Sequence, residues 1–328
     1  MHLIDVKGLK TSFYIEGGVV NAVNDVSFAI EREKTLGVVG ESGCGKSVTA
    51  LSIMGLIRSP GRIESGEILF QRDGKTIDLT KLDPKGQEMR SIRGNEIAMI
   101  FQEPMAFLNP VYTIGNQIME SIMLHQGLNT KDARGKAIEM LRAVGIPAPE
   151  QRIGEYPHQL SGGMCQRAMI AMALCCNPSL LIADEPTTAL DVTIQAQVLK
   201  VMNESRMGFK AAIMFITHDL GVIAHMADDV VVMYLGRIVE SASVREIFHH
   251  PLHPYTQGLM HSMPSLALTK ENRLVPIKGV VPDLLEMSEG CGFESRCPDS
   301  RGFCRTDVPP LVEVAPGHHV ACWLHIDR

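Results

Sequence analysis

The sequence has 328 residues, with 31 Lys and Arg against 37 Asp and Glu, so its formal net charge is −6. A hydrophobic content of 45% and a charged content of 21% are ordinary for a folded protein, and they exclude collagen, a disordered tail protein and a small disulfide scaffold. This length predicts two or three domains at about 100–200 residues each. The acidic balance argues against nucleic acid as the main partner.

No targeting or membrane-spanning segment is evident from the sequence. The N-terminal residues MHLIDVKGLK lack the apolar core of a signal peptide. The longest apolar run, Ala168–Cys176, is shorter than the roughly 20 residues that a spanning helix needs. We therefore expect a cytosolic protein whose eight cysteines are reduced thiols or metal ligands rather than disulfides.

The predicted elements, taken in chain order, indicate an α/β fold. Alternation and turn residues over His2–Ile30 predict an antiparallel β region. Helical patterns between residues 104 and 159 predict a helical insertion, and the Pro- and Gly-rich chain from Pro251 onward predicts a separate C-terminal element. Short apolar runs predict buried parallel strands at Thr35–Val39, Ile97–Phe101, Leu180–Ala183 and Ala212–Ile216.

A phosphate-binding loop is predicted where the first of these strands ends. Residues Gly40–Ser47 fit the pattern G-x-x-x-x-G-K-[ST] between a strand and a helix, which is the context that this motif requires. Lys46 is then placed to bridge the β- and γ-phosphates, and the Ser47 hydroxyl to bind Mg²⁺. The residues predicted to contact ATP here are Ser42, Gly43, Cys44, Gly45, Lys46, Ser47 and Val48.

Acidic residues end the strand that begins at Leu180. Asp184 is placed to hold Mg²⁺, and Glu185 to orient or deprotonate the attacking water. His218 follows the strand Ala212–Ile216, where it could contact the γ-phosphate, although a histidine at a strand end is also typical of an ordinary surface. Together with the phosphate-binding loop, these residues predict nucleotide hydrolysis.

A second anion-binding helix start is predicted at Ser161-Gly162-Gly163, just before the helical run RAMIAMALCC. An ordinary helix N-cap is the alternative interpretation. One triphosphate fills only one phosphate cradle, so two such sites in one chain are explained by a head-to-tail dimer. In that dimer, each ATP lies between the phosphate-binding loop of one subunit and the Ser-Gly-Gly of the other.

These motifs together resemble those of the ATP-binding-cassette (ABC) ATPases over roughly residues 1–245. The Walker A motif is Gly40–Ser47, the signature is Leu160–Gln166, and the Walker B motif is Leu180–Asp184 followed by Glu185. The Q-loop residue Gln102, the D-loop Ala189-Leu190-Asp191 and the switch residue His218 complete the set.

The resemblance implies a P-loop NTPase fold of the ABC type. It implies an N-terminal antiparallel β region, a RecA-like parallel-sheet core and a helical subdomain. The cassette would occupy residues 1–250, with the helical insertion at about 103–165, and the C-terminal extension would occupy residues 251–328.

The resemblance also implies roles for individual residues. Gln102 would bind Mg²⁺ together with Ser47 and Asp184, and would act in catalysis beside Glu185 and His218. Ser161 and Gly163 would contact the γ-phosphate of the opposite subunit, and Gly162 and Asp191 would also bind ATP. Phe13 would stack on adenine, with Tyr14 as the alternative.

The last part of the chain narrows the resemblance to one subfamily of the ABC ATPases. His253-Pro254-Tyr255-Thr256 resembles the extension of ATPase subunits from dipeptide and oligopeptide importers. In that subfamily four cysteines bind a [4Fe–4S] cluster, and the matching set here is Cys291, Cys297, Cys304 and Cys322. Zinc is the alternative metal, although these spacings exceed those usual for zinc, and unliganded thiols remain a third interpretation.

The implied function is that of an ATP-hydrolysing motor at the cytoplasmic face of the membrane. Its partners would be two transmembrane permease subunits, a second ATPase subunit that is either a copy or a related chain, and, indirectly, an extracytoplasmic solute-binding protein. A permease helix would sit near Gln102 and Met105–Tyr112. The alternatives are a soluble ABC ATPase acting on nucleic acid or ribosomes, and a redox-sensing ABC ATPase. The sequence does not identify the solute.

Overall fold

The structure is a computed structural model that describes residues 2–187, 190–262, 276–285 and 289–326, without the side chains of residues 205, 207 and 209. Its contacts divide the chain into two compact units. The first contains Met1–Leu3, Ile30–Thr35 and Lys81–Ile216, and the second contains Ile4–Ala29, Leu36–Thr80 and Thr217–Arg328.

The described elements follow in chain order. The strands are β1 (His2–Ile15), β2 (Gly18–Glu31), β3 (Thr35–Val39), β4 (Gly61–Arg72), β5 (Lys75–Asp78), β6 (Ile97–Ile100), β7 (Leu180–Asp184), β8 (Ala212–Ile216), β9 (Asp229–Tyr234), β10 (Arg237–Ser243), β11 (Val312–Ala315) and β12 (His318–Val320). The helices are α1 (Lys46–Ile53), α2 (Gln87–Ile92), α3 (Pro104–Phe107), α4 (Ile114–Gln126), α5 (Thr130–Ala143), α6 (Pro149–Arg152), α7 (Gly162–Leu174), α8 (Val192–Phe209), α9 (Leu220–Met226), α10 (Val244–His249) and α11 (Pro254–His261).

The core of the first unit contains three parallel strands. Strand β7 lies between β6 and β8 and pairs in parallel with both. All residues of the three strands are buried, which explains why they are continuous apolar runs rather than alternating patterns. The predicted parallel strands of this part of the chain are therefore confirmed.

Helices α4, α5 and α7 pack against one another in the first unit. In α5 the buried residues are Ala133, Ala137 and Leu141, which recur every four positions and so lie on one helix face. Asn129 caps the start of α5, because its side chain accepts a hydrogen bond from the backbone of Asp132. The helical pattern predicted between residues 104 and 159 is confirmed here.

The second unit contains the antiparallel β region. Four strands lie in the order β2-β1-β4-β5, with β1 antiparallel to β4 and β4 antiparallel to β5. Strand β3 pairs in parallel with β9, and β10 pairs antiparallel with β9. The C-terminal strands continue from there, because β12 pairs antiparallel with β10 and β11 with β12.

The predicted β region at His2–Ile30 covers only half of its sheet, since residues 61–78 supply the other two strands. Among the helices that the structure describes, none combines the length and the apolar character needed to cross a bilayer. The division at residue 250 into cassette and C-terminal extension stays a prediction.

Candidate nucleotide site and cysteine site

The phosphate-binding loop leads from β3 into α1 in the second unit. Gly43 and Gly45 have φ angles of 81° and 98°, a region that residues with a Cβ rarely adopt. A Cβ on Gly45 would also lie 2.2 Å from the carbonyl oxygen of Ala22. Glycine is therefore required at position 45 by both conformation and space.

Lys46 is almost fully buried, with 5% of its surface exposed. Its Nζ donates hydrogen bonds to the carbonyl oxygens of Gly40 at 2.7 Å and Glu41 at 3.0 Å. These contacts hold the ammonium group within the loop. Among the other predicted contacts, Ser42 and Gly43 are exposed, while Ser47 and Val48 are half-buried in the first turn of α1.

The side chain of Cys44 in this loop is also buried. Burial raises the pKa of its thiol, so the side chain remains neutral. Its carbonyl oxygen accepts a hydrogen bond from the backbone N–H of Gly236 at 3.0 Å, which ties the loop to the turn after β9. The loop is thus shaped by tertiary contacts as well as by its own sequence.

Sequence reasoning missed a contact of this loop with the C-terminal part of the chain. Arg296 forms a two-contact ion pair with the carboxylate of Glu41, and Tyr255 accepts a hydrogen bond from the backbone N–H of Glu41 at 2.8 Å. Tyr255 lies in the HPYT segment that the sequence singled out. No local pattern relates that segment to residue 41.

In the first unit, the Q-loop and Walker B residues meet. The side-chain amide of Gln102 donates a hydrogen bond to the Glu185 carboxylate at 3.0 Å. Glu185 has a φ of 47°, a strained conformation for a residue other than glycine, and such strain is enriched at functional sites. Asp184 ends β7 and is buried.

The signature residues begin α7. Ser161 is its N-cap and accepts a hydrogen bond from the backbone N–H of Met164 at 3.3 Å, as an ordinary N-cap does. Ser161 and Gly162 are nevertheless exposed, so this helix start is open to a partner. A Cβ on Gly163 would lie 3.3 Å from the Leu190 side chain.

Asp191 has an evident local role as the N-cap of α8, because its carboxylate accepts hydrogen bonds from the backbone N–H groups of Thr193 and Ile194. Ala189, predicted as part of the D-loop, lies outside the described residues. In the second unit, His218 is exposed just before α9, whose N-cap is Asp219.

The two aromatic candidates for adenine stacking lie side by side at the end of β1. The Phe13 ring lies against Gly61 of β4, where an added Cβ would be 2.5 Å from the ring. The Tyr14 ring is covered on one face by the Arg62 guanidinium at 4.3 Å, and its hydroxyl donates a hydrogen bond to Glu64. The choice of Phe13 over Tyr14 stays a prediction.

The four C-terminal cysteines line one small cavity. Its walls include Cys291, Cys297, Cys304 and Cys322. The backbone N–H of Cys291 donates a hydrogen bond to the carbonyl oxygen of Cys304 at 2.8 Å. Burial raises the pKa of both Cys291 and Cys297 to about 11. Within the described part of the chain, no group of three or more His, Cys, Asp or Glu side chains is arranged to hold a metal ion.

Comparison with known proteins identifies the family. A family model described as "ABC transporter" matches residues 23–188, and one described as "Oligopeptide/dipeptide transporter, C-terminal region" matches residues 239–304. The chain is 52% identical over 322 residues to a probable peptide ABC transporter ATP-binding protein, y4tR, of Sinorhizobium fredii, covering 98% of this chain and 94% of the relative. It is 49% identical over 323 residues to the oligopeptide transport ATP-binding protein OppD of Bacillus subtilis, covering 98% and 88%.

Solved structures agree with this result. The dimeric structure of MJ0796, a bacterial ABC transporter cassette, superposes with a TM-score of 0.65 and 25% identity, covering 74% of this chain and 99% of that chain. The structure of cbiO1 from Clostridium perfringens, part of the ABC transporter complex cbiONQ, superposes with a TM-score of 0.60 and 26% identity, covering 76% and 91%. The chain therefore belongs to the ABC transporter ATPases that carry the oligopeptide/dipeptide transporter C-terminal region.

Proposed function

We propose that this chain is the ATP-hydrolysing motor subunit of an importer for dipeptides or oligopeptides. The observation that carries the proposal is the presence, in one chain, of the cassette and of the oligopeptide/dipeptide C-terminal region. Relatives named for peptide, oligopeptide and dipeptide transport match it over nearly its full length. These matches support a transporter subunit rather than an ABC ATPase acting on nucleic acid or ribosomes.

The proposed roles of the residues follow from their chemistry. Backbone N–H groups of the phosphate-binding loop and the Lys46 ammonium bind the phosphates of ATP. Glu185 accepts the proton of the attacking water. Gln102 donates a hydrogen bond to the Glu185 carboxylate and thereby orients that carboxylate. His218 contacts the γ-phosphate, and Phe13 stacks on adenine.

Ser47, Gln102 and Asp184 provide oxygen donors of the kind that Mg²⁺ prefers, so these residues fit the ion. Bound Mg²⁺ neutralises negative charge on the β- and γ-phosphate oxygens.

The proposed assembly contains a second ATPase subunit and membrane permeases. The exposed start of α7 at Ser161 supports a role for the signature at a subunit interface, and the cassette neighbour MJ0796 is described as dimeric. Asp191 would lie at the same interface. The chain would work at the cytoplasmic face of the membrane, bound to two permease subunits, with an extracytoplasmic solute-binding protein delivering the peptide.

Peptide uptake tests this function directly. In a strain that lacks the chain and needs one amino acid for growth, we expect the wild-type gene to restore growth on a dipeptide or oligopeptide containing that amino acid. Glu185→Gln should not restore it, because loss of a general base typically costs about 100-fold or more in rate. Its purified form should still bind Mg·ATP.

A matched control is Glu204→Gln, which removes an exposed carboxylate of α8 in the same unit. Growth on the free amino acid checks that the strain is otherwise sound. Normal peptide uptake in the strain that lacks the chain, or in the Glu185→Gln strain, would contradict the proposed function.

We also propose that the four-cysteine cavity holds a [4Fe–4S] cluster that stabilises the C-terminal extension. Four thiolates complete the ligand set of such a cluster, and all four cysteines line one cavity.

Metal analysis of the full-length chain, purified without oxygen, tests this cluster. We expect iron and acid-labile sulfide in equal amounts, and loss of both in Cys297→Ser. Cys165→Ser is the matched control, because Cys165 is buried in α7 and does not line the four-cysteine cavity. Zinc in place of iron, or a metal-free folded chain, would overturn the proposal, and iron whose redox state changes ATP turnover would favour the redox-sensing alternative.

A further inference from the structure

Glu41 of the phosphate-binding loop is held by the C-terminal part of the second unit at two points. The Glu41 carboxylate receives Nη1 of Arg296 at 2.6 Å on one oxygen and Nη2 at 3.0 Å on the other. Its backbone N–H donates to the Tyr255 hydroxyl at 2.8 Å. Both the side chain and the backbone of this residue are therefore fixed from outside the loop.

Arg296 is itself held by burial and by further hydrogen bonds from its guanidinium. Its side chain is 3% exposed. Nε donates a hydrogen bond to the carbonyl oxygen of Lys278 at 3.1 Å, and Nη1 donates a second bond to the Tyr234 hydroxyl at 3.3 Å. An arginine guanidinium is always protonated in proteins, so Arg296 brings a permanent positive charge to the Glu41 carboxylate.

Tyr255 is equally fixed. It is fully buried, and its ring packs against Tyr234 at 4.6 Å and against Phe293 at 5.4 Å between centroids. Burial raises the pKa of its phenol, so the hydroxyl stays neutral and can accept the Glu41 N–H. Arg296, Tyr255 and their aromatic neighbours thus form a rigid support behind the loop.

This support affects ATP binding in two ways, both of which act through Glu41. The carbonyl oxygen of Glu41 is one of the two carbonyl oxygens that accept hydrogen bonds from the Lys46 ammonium, so the position of residue 41 helps to set the position of that ammonium. The Glu41 carboxylate is also a negative charge on a loop that binds a triphosphate. Left unpaired, it would repel the ligand, whereas the two-contact ion pair with Arg296 neutralises it.

We propose that Arg296 is a positioning residue for ATP, which acts through its ion pair with Glu41 to orient and neutralise the phosphate-binding loop. The C-terminal region thereby contributes to nucleotide affinity and not only to the identity of the transporter. This proposal rests on ATP binding at the loop and is independent of the transported solute.

Nucleotide affinity of the full-length chain tests the proposal through a double-mutant cycle. The probe is non-hydrolysable Mg·AMP-PNP, and the variants are Arg296→Met, Glu41→Gln and the two together. Loss of a buried, charge-assisted contact predicts about tenfold weaker binding for Arg296→Met. In the Glu41→Gln background, the same change should alter binding by less than about twofold, because no carboxylate remains to be neutralised.

Steady-state kinetics separate positioning from a general structural role. In Arg296→Met the KM for ATP should rise about tenfold while kcat stays within about twofold, because Arg296 does not touch the reacting atoms. The control is Arg245→Met, which removes an exposed arginine of α10 in the same unit and should bind like wild type. Thermal unfolding of each variant checks that it is folded.

Two results would overturn the proposal. One is wild-type affinity in folded Arg296→Met, and the other is an equal loss of affinity with and without the Glu41 carboxylate, which would indicate that Arg296 acts on ATP by another route. If Arg296→Met does not fold, Arg296→Lys replaces it in the cycle. This variant keeps the charge but only one contact, so we expect about threefold weaker binding that again disappears in the Glu41→Gln background.

Discussion

At the scale of single residues, Glu185 shows how backbone conformation places a reactive side chain. Its left-handed φ of 47° turns the chain sharply at the end of β7, and its N–H still donates to the carbonyl oxygen of Ile216 in β8. The carboxylate then accepts the Gln102 amide. The strained turn therefore directs this acid toward the Q-loop, which suits the role of base proposed for it.

Two glycines of the phosphate-binding loop provide a matched pair for a stability prediction. Both have positive φ, but a Cβ on Gly45 would meet the Ala22 carbonyl oxygen at 2.2 Å, whereas a Cβ on Gly43 would meet nothing within 4 Å. Gly43→Ala should lower the free energy of unfolding by about 1–2 kcal/mol through conformational strain alone.

Gly45→Ala should lower the free energy of unfolding by about 2 kcal/mol or more beyond the loss in Gly43→Ala, because the backbone must also move away from the Ala22 carbonyl oxygen. Urea unfolding of both variants without nucleotide measures the difference. Equal losses of stability would show that the Ala22 contact is unimportant.

The residues that sequence reasoning could and could not find differ in a physical way. Lys46, Ser47 and Gly45 lie within one short motif whose spacing reports its chemistry. Arg296 has no such signal, because its partner Glu41 lies 255 residues away and their pairing exists only in the fold. The residues of a short motif can be recognised from their spacing in the sequence, whereas an ion pair between distant residues cannot.

At the scale of elements, the predicted strands and helices of the first unit agree closely with the structure. Strand Ala212–Ile216 is found as predicted, and the helical patterns predicted between residues 104 and 159 are found as α4 and α5. These elements were predictable because burial of one helix face gives an apolar period, and burial of a whole strand gives a continuous apolar run.

Elements of the C-terminal part were less predictable. Strands β11 and β12 have four and three residues, too few to show a period, and they form by extending an existing sheet through β10. Their stability comes from the pairing and not from their own sequence.

The segment that follows strand β6 exposes several large apolar side chains. Exposed fractions reach 53% for Met105, 52% for Phe107, 72% for Val111 and 54% for Tyr112, while Phe107 stacks on Phe101 at 3.9 Å. Clustered exposure of this kind marks an interaction surface rather than random surface composition. It supports the expectation, drawn from the family resemblance, that a permease helix docks here.

A pair of equally exposed residues tests that surface. Val111→Lys should abolish peptide uptake in the strain described above, because a charge would be buried in the proposed interface at a cost of several kcal/mol, or about 100-fold in affinity. Leu124→Lys is the control, since Leu124 on α4 is 73% exposed but lies outside the segment.

Uptake at the wild-type level with Val111→Lys would argue against docking at residues 105–112. The ATPase rate of each isolated variant shows whether the cassette itself is intact, so a loss of coupling is distinguished from a loss of fold.

At the scale of the whole molecule, the family was predictable because its motifs appear in a fixed order along the chain, and the comparisons confirm it. The concentration of four cysteines in the last part of the sequence predicted a common site, and the structure brings them to one cavity. The identity of a metal there stays a prediction, because it depends on the chemistry of the thiols and on what the cell supplies.

The separation of Glu41 and Arg296 also has a consequence for biosynthesis. At about 5–20 residues per second, the ribosome adds the 255 residues between them in roughly 13–50 s. During that interval the nascent phosphate-binding loop exists without its ionic partner. If Arg296 acts as proposed, a chain cut short before residue 296 binds ATP more weakly than the full chain.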